Sequence, residues 1–542
     1  MKYLFIVWML ILSLLAPNAA IAQARQPYTL ISGLGTIHHP VSTANPQAQE
    51  FFDQGLNLIY AFNHDEAVRS FQYAAKLDPH LAIAYWGIAL ALGPNINLEI
   101  DPNRELAAYQ AIQQALVLST QASTQEQDYI TALAKRYSQD PDADLYQLAL
   151  YYAKAMATLV KRYPDDLDAA TLYAESLMDL HPWQHWTKDG KPREDTEEIV
   201  AVLESVLKRN PNHPGANHYY IHALEASPSP ERALVSAKRL QTLAPGAGHL
   251  VHMSSHIYFR VGDYLGAMQA NKQAIAQDDA YINKYQVQGT YPMMYYNHNV
   301  YFLMVASSMA GRYEDALKSA DKLIANVTAI DPYIPVLEGF LGSKMLIQTR
   351  FSNWDAILKI PAPDAKLPTT TALWHFARGM AKAATGKLED AASESRALLV
   401  AKQVIPTEAT IGFSLASRIL DIASKVLDAK IAKEKHNYES AIKLLEKAVV
   451  AEDALDYLEP PDWYFPTRES LGSVLLAKGD YGEAEKVFRA DLKKYPHNGR
   501  SLFGLQATLQ AQGKDQAAQV VKAELETAWK SDNKQLDIAK MY

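Results

Sequence analysis

The chain has 542 residues, 49% of them apolar, and a formal net charge of −8 from 52 Lys and Arg against 60 Asp and Glu. That is longer than one ordinary domain of about 100–200 residues, and the apolar content is ample for a buried core. Basic and acidic residues are interleaved with no basic stripe, which argues against a nucleic-acid partner, and the absence of cysteine excludes disulfides, thiolate metal sites, iron–sulfur clusters and cysteine nucleophiles.

Residues 1–22 read as an export signal. Lys2 supplies the positive end, Leu4 to Leu15 the apolar run, and Ala20-Ile21-Ala22 the small-x-small cleavage pattern. The run is shorter than the roughly 18–20 residues that span a bilayer. The expectation is an exported protein, periplasmic or extracellular, with no stable membrane insertion after cleavage. Residues 23–47 follow as an extended segment containing His38-His39.

From Ala48 a period near 34 residues dominates. Counting Ala48 as position 1 gives Phe51, Gly55, Ala67, Phe71, Ala74 and Pro79 at positions 4, 8, 20, 24, 27 and 32. A unit beginning at Phe465 gives Gly472, Ala484, Phe488 and Pro496 at positions 8, 20, 24 and 32. Weaker units share a turn followed by alanine: Gly262-Asp263-Tyr264 with Ala267, Gly311-Arg312-Tyr313 with Ala316, and Gly386-Lys387-Leu388 with Ala391. Small residues at positions 8 and 20 let two helices approach, the large residue at 24 fills the gap to the next pair, and proline stops the second helix.

These residues resemble the tetratricopeptide-repeat (TPR) superfamily over essentially the whole mature chain. The strings Ala84 to Asn95, His213 to His218 and His249 to Tyr258 also resemble a group of bacterial exported TPR proteins with a His-rich concave face. The resemblance implies an all-α fold, a right-handed superhelix (α-solenoid) of helix-turn-helix repeats that binds a peptide, protein or small-molecule ligand in its concave groove. Peptide-clamping members line that groove with Lys, Asn and Arg, whereas His and Tyr stand at those positions here. The organisation expected is an N-terminal array over 48–359 with a Trp-containing insert at 181–192, a Pro-rich joint at 360–368, and a C-terminal array over 369–542.

Histidines carry the chemical signal. With Ala233 at repeat position 20, His218, His222 and Glu225 fall at 5, 9 and 12; with Ala267 there, His249, His252 and His256 fall at 2, 5 and 9; with Ala316 there, His298 falls at 2. Positions 2, 5, 9 and 12 face the groove in the TPR architecture. Spacings of three and four also place each triplet on one helix face. Imidazoles with a carboxylate suit Zn, Cu, Fe or Ni. Tyr219, Tyr258, Asn297 and His64 are groove or second-sphere neighbours, and Trp183 and Trp186 of the insert form a lid or pack the insert down. The alternatives are a metal-free peptide- or protein-binding scaffold, its histidines merely lining a polar groove, and a metal-dependent hydrolase or oxidoreductase. No phosphate-binding glycine loop, G-x-S-x-G elbow or H-E-x-x-H motif occurs, so no nucleotide cofactor is expected. A second candidate site, for an anionic ligand, is Glu459, Trp463, Tyr464 and Arg468 around the Pro460-Pro461 break; the competing reading is a polar network tying that corner down.

Overall fold

The computed structural model describes residues 28–531, 536–537 and 542; the export signal read at residues 1–22 lies outside them. The fold is all-α. Among the described residues the extended exceptions are a two-stranded hairpin, Thr410–Ile411 with Ser414–Leu415, and two isolated bridges. None of their helices is long and apolar enough to cross a membrane.

The chain forms two compact units, one containing the described residues up to Ile257 together with Ala270–Tyr296, the other Tyr258–Gln269 with Asn297 onward. In the first unit the helices follow as α1 (Pro46–Tyr60), α2 (His64–Leu77), α3 (Ala82–Leu92), α4 (Pro102–Leu118), α5 (Thr124–Leu133), α6 (Leu145–Arg162), α7 (Leu167–Met178), α8 (Thr196–Arg209), α9 (Pro214–Glu225) and α10 (Leu234–Leu243). Helices α11 (Gly248–Arg260) and α12 (Tyr264–Tyr285) contribute residues to both units. Helices α1–α10 pack on one another in chain order.

The repeat residues do what their positions predict. Phe71 is fully buried, and a Cβ added at either Gly55 or Gly87 would come within 2.5 Å of its ring. One phenyl group is thus wedged between two helices that only glycine lets close enough. Helix α1 starts cleanly because the Asn45 side chain accepts from the amides of Gln47 and Ala48, and Pro46 stands where no donor is needed.

The second unit continues with α13 (Asn297–Met309), α14 (Tyr313–Ile330), α15 (Pro335–Glu338), α16 (Ser343–Arg350), α17 (Trp354–Leu358), α18 (Pro368–Ala384), α19 (Leu388–Gln403), α20 (Ala416–Glu434), α21 (Tyr438–Asp453), α22 (Thr467–Lys478), α23 (Tyr481–Lys494), α24 (Gly499–Ala511) and α25 (Asp515–Ala528). Phe488 repeats the wedge against Gly472 and Gly504. The Pro-rich stretch 360–368 lies inside this unit, held by Trp374, whose indole N–H donates to the Ile360 carbonyl at 3.1 Å. Glu469 is buried between two guanidinium groups, accepting from Arg350 at 3.1 Å and from Arg500 at 2.7 Å.

Candidate metal centre

Helices α9 and α11 carry the histidines, and a long-range contact sets where they meet. Helix α9 packs on α1 because residue 215 is glycine: a Cβ there would lie 2.3 Å from the Tyr60 ring. That approach brings the Tyr60 carbonyl to His218, whose Nδ1–H donates to it at 2.7 Å. Helix α9 starts at Pro214, with the His213 ring as its cap, Nδ1 accepting from the Ala216 amide at 3.2 Å.

Five imidazoles then close a circuit. Ring centroids are separated by 4.8 Å from His218 to His222, 5.8 Å to His256, 4.9 Å to His252, 5.7 Å to His249 and 5.0 Å back to His218. One ligand nitrogen from each of His218, His222 and His249 lies within 4.8 Å of the other two. The groove positions read from the repeat are interior positions here: exposure is 0% for His218, 4% for His222, 2% for His249, 0% for His252 and 2% for His256. The contact with α1 and the insert after α7 cover what a bare repeat array would leave open.

Glu225, read from the sequence as a ligand, is bonded to two of the imidazoles. One carboxylate oxygen accepts from His222 Nδ1 at 2.6 Å and the other from His256 Nδ1 at 2.5 Å. Burial opposes its ionisation, but His256 and His222 outweigh that and hold its pKa down at about 2. With its Nδ1–H so engaged, His222 presents Nε2 as a lone pair, as does His218 with its own Nδ1–H on Tyr60. Neither Nε2 has a hydrogen-bond partner. Burial pushes the pKa of both rings down, His218 well below the usual value, with His222 adding to the effect at His218. Neutral rings with fixed tautomers are the form in which histidine binds metals. Beyond them His252 Nε2 meets His256 Nε2 at 3.0 Å, and His252 Nδ1 meets the Asn271 side-chain oxygen at 2.7 Å.

Aromatic groups wall the centre. Phe62, absent from the sequence reading, lies against three imidazoles, 4.5 Å from His218, 5.9 Å from His222 and 5.6 Å from His249. Its backbone is left-handed at φ +54°, at the turn position where other units carry Gly262, Gly311, Gly386 and Gly479. Phenylalanine standing where those units place glycine is the signal that could have found it. Tyr295 packs on His249 at 4.9 Å, and Trp183 sets an edge on His222 at 5.5 Å. Trp186 donates its indole N–H to the Ala223 carbonyl at 2.7 Å, so both insert tryptophans are applied to α9.

The remaining sequence candidates lie on several elements. His64 begins α2, buried, with Nε2 facing the Asn95 amide at 3.4 Å. Tyr219 is buried between Tyr60 and Phe62. Tyr258, Asn297 and His298 belong to the second unit, where Asn297 accepts from Asn326 at 2.9 Å and the His298 ring packs on Phe302 and Phe413. Around the proline break, Trp463 packs on Phe376, Tyr464 on Tyr301, Glu459 accepts from Tyr457, and Arg468 pairs with Asp453 at 2.9 Å. A further group, His39, Asp166 and Asp168, brings its donor atoms within 4.8 Å of one another. Those carboxylates are already engaged: Asp168 by His39, His213 and Tyr60, and Asp166 by Tyr129 and Gln125.

The molecule is thus an all-α helical-repeat protein with a buried polyhistidine cluster. No protein-family model matches the chain, and no curated protein matches it. Solved structures similar to it include a human IFIT1 dimer with m7Gppp-AAAA, at 12% identity and TM-score 0.33, covering 90% of this chain and 91% of that one. Yeast Tom70 is similar at 11% identity and TM-score 0.28 (89% and 90% covered), and the P58(IPK) TPR domain at 12% and 0.24 (86% and 99%). Likenesses this distant carry nothing about ligand or activity.

Proposed function

We propose that the unit built on α1–α11 is a metal-binding module of an exported helical-repeat protein, holding one transition-metal ion on His218, His222 and His249. The observation that carries the reading is the pair of buried, partnerless Nε2 atoms whose Nδ1–H groups are fixed by a carbonyl and a carboxylate. An unsatisfied buried nitrogen costs about 1–3 kcal/mol, and an ion removes that cost at both positions. Neutral nitrogen donors without thiolate suit Zn, Cu, Fe or Ni. Glu225 orients His222 and offsets part of the ion's charge.

The test is elemental analysis of the protein purified without an affinity tag, before and after equilibration with Zn(II), Cu(II) and Ni(II). A content near one ion per chain, abolished in a His218→Ala/His222→Ala double variant that keeps its helical circular dichroism, is the expected result. A content near zero under all conditions overturns it.

A further inference from the structure

We propose that His185, on the insert between α7 and α8, is a fourth ligand of this centre, so that four imidazoles close the ion in and the insert is its lid. The proposal rests on the metal reading above and decides what kind of metal site it is.

His185 is 6% exposed, and its Nε2 meets no hydrogen-bond partner. A lone buried imidazole nitrogen is costly to keep unless something binds it. Its neighbours on the chain bring it near the cluster. Two residues before it, Trp183 lies edge-on to the His222 ring; the residue after it, Trp186, is bonded to the carbonyl of Ala223, the neighbour of His222. Consecutive Cα atoms are about 3.8 Å apart, so a residue between two anchors on one turn of α9 has little freedom to be elsewhere.

The insert is also held from its other side. The His185 carbonyl accepts from the Thr196 hydroxyl at 2.6 Å and the Arg193 amide at 2.9 Å. Trp183 keeps a left-handed backbone at φ +61°, a conformation of the kind that gathers at binding sites and clamps.

The nitrogens already within 4.8 Å of one another are those of His218, His222 and His249. His185 joins them by rotating its side chain when an ion enters. Three imidazoles alone leave a position for water, the arrangement of hydrolytic zinc sites; a fourth closes the tetrahedron. A closed site has no place for metal-bound hydroxide, so this centre retains its ion and performs no hydrolysis with it.

The test is X-ray absorption on the full chain loaded with one equivalent of Zn(II), with chelator competition on wild type and His185→Ala. Four imidazole shells in the wild type, three plus an oxygen in the variant, and an affinity loss of about 100-fold or more are expected, since even supporting residues behind metal ligands are worth about 10–100-fold. Three imidazoles in the wild type, or an unchanged affinity in His185→Ala, overturns the assignment while leaving the three-histidine centre standing. No Zn(II) uptake by the wild type overturns the centre itself. The wild-type imidazole count stands whether or not the variant folds.

Discussion

Glu225 reaches two imidazoles with two oxygens, and most of the centre's order passes through it. Glu225→Gln keeps the shape but replaces one acceptor oxygen with a donor, so either His222 or His256 loses its fixed tautomer. The expected result is Zn(II) affinity lower by about 10–100-fold, read by chelator competition, with little change in helical content. His64 gives a prediction about pH. Burial, with Arg104 and Arg136 adding, pushes its pKa down to about 3 from an unfolded value of 6.5. The unfolded chain therefore takes its proton first as pH falls. The stability His64 contributes above pH 6.5 is lost progressively toward pH 3, at up to about 1.4 kcal/mol per pH unit. Urea midpoints measured from pH 7 to pH 5 should fall more steeply in the wild type than in His64→Gln.

At the scale of the element, the turn joining the two helices of a repeat needs a left-handed residue, and glycine supplies it at Gly262, Gly311, Gly386 and Gly479. Phe62 and His436 adopt the same conformation without being glycine, at φ +54° and +59°. A left-handed L-residue costs roughly 1–2 kcal/mol, of which glycine's extra unfolded-chain entropy would offset about 0.5–1. His436 is exposed, so His436→Gly should raise stability by up to about 1 kcal/mol in a urea melt. Phe62 is 2% exposed and touches three imidazoles. Phe62→Gly should lower stability by about 2–4 kcal/mol, because the loss of a buried phenyl outweighs the relieved strain. The turns were legible as turns from glycine and alanine spacing. That one of them projects a ring into the cluster was not, since the local pattern shows which residue breaks the rule and not what the broken rule holds.

For the whole molecule, each unit has a buried polar centre that its apolar packing must accommodate. In the second unit it is Glu469, bonded to Arg350 at the end of α16 and to Asn498 and Arg500 at the start of α24. Glu469→Gln leaves two buried guanidinium groups short of a counter-charge and should cost about 3–5 kcal/mol by chemical denaturation. In the histidine-bearing unit, the proposed ion, bound only by the folded state, would add stability by mass action, about 2.7 kcal/mol at a hundred times its dissociation constant. Removing it with a chelator should lower Tm, and restoring Zn(II) should recover it.

The all-α repeat, its helix pairs, their glycine turns and the two triplets on single helix faces, one His-His-Glu and one of three histidines, are all properties of spacing, and the sequence by itself determined them. Spacing ties a residue to others within a few turns or one repeat away. Tertiary structure decided the rest: that His218 meets the carbonyl of Tyr60, 158 residues earlier; that Glu225 bonds imidazoles on two different helices; and that the insert sets Trp183 and Trp186 against α9. Those contacts arise where one helix closes on another distant in the chain, and a repeat that constrains only adjacent pairs leaves that closure unspecified.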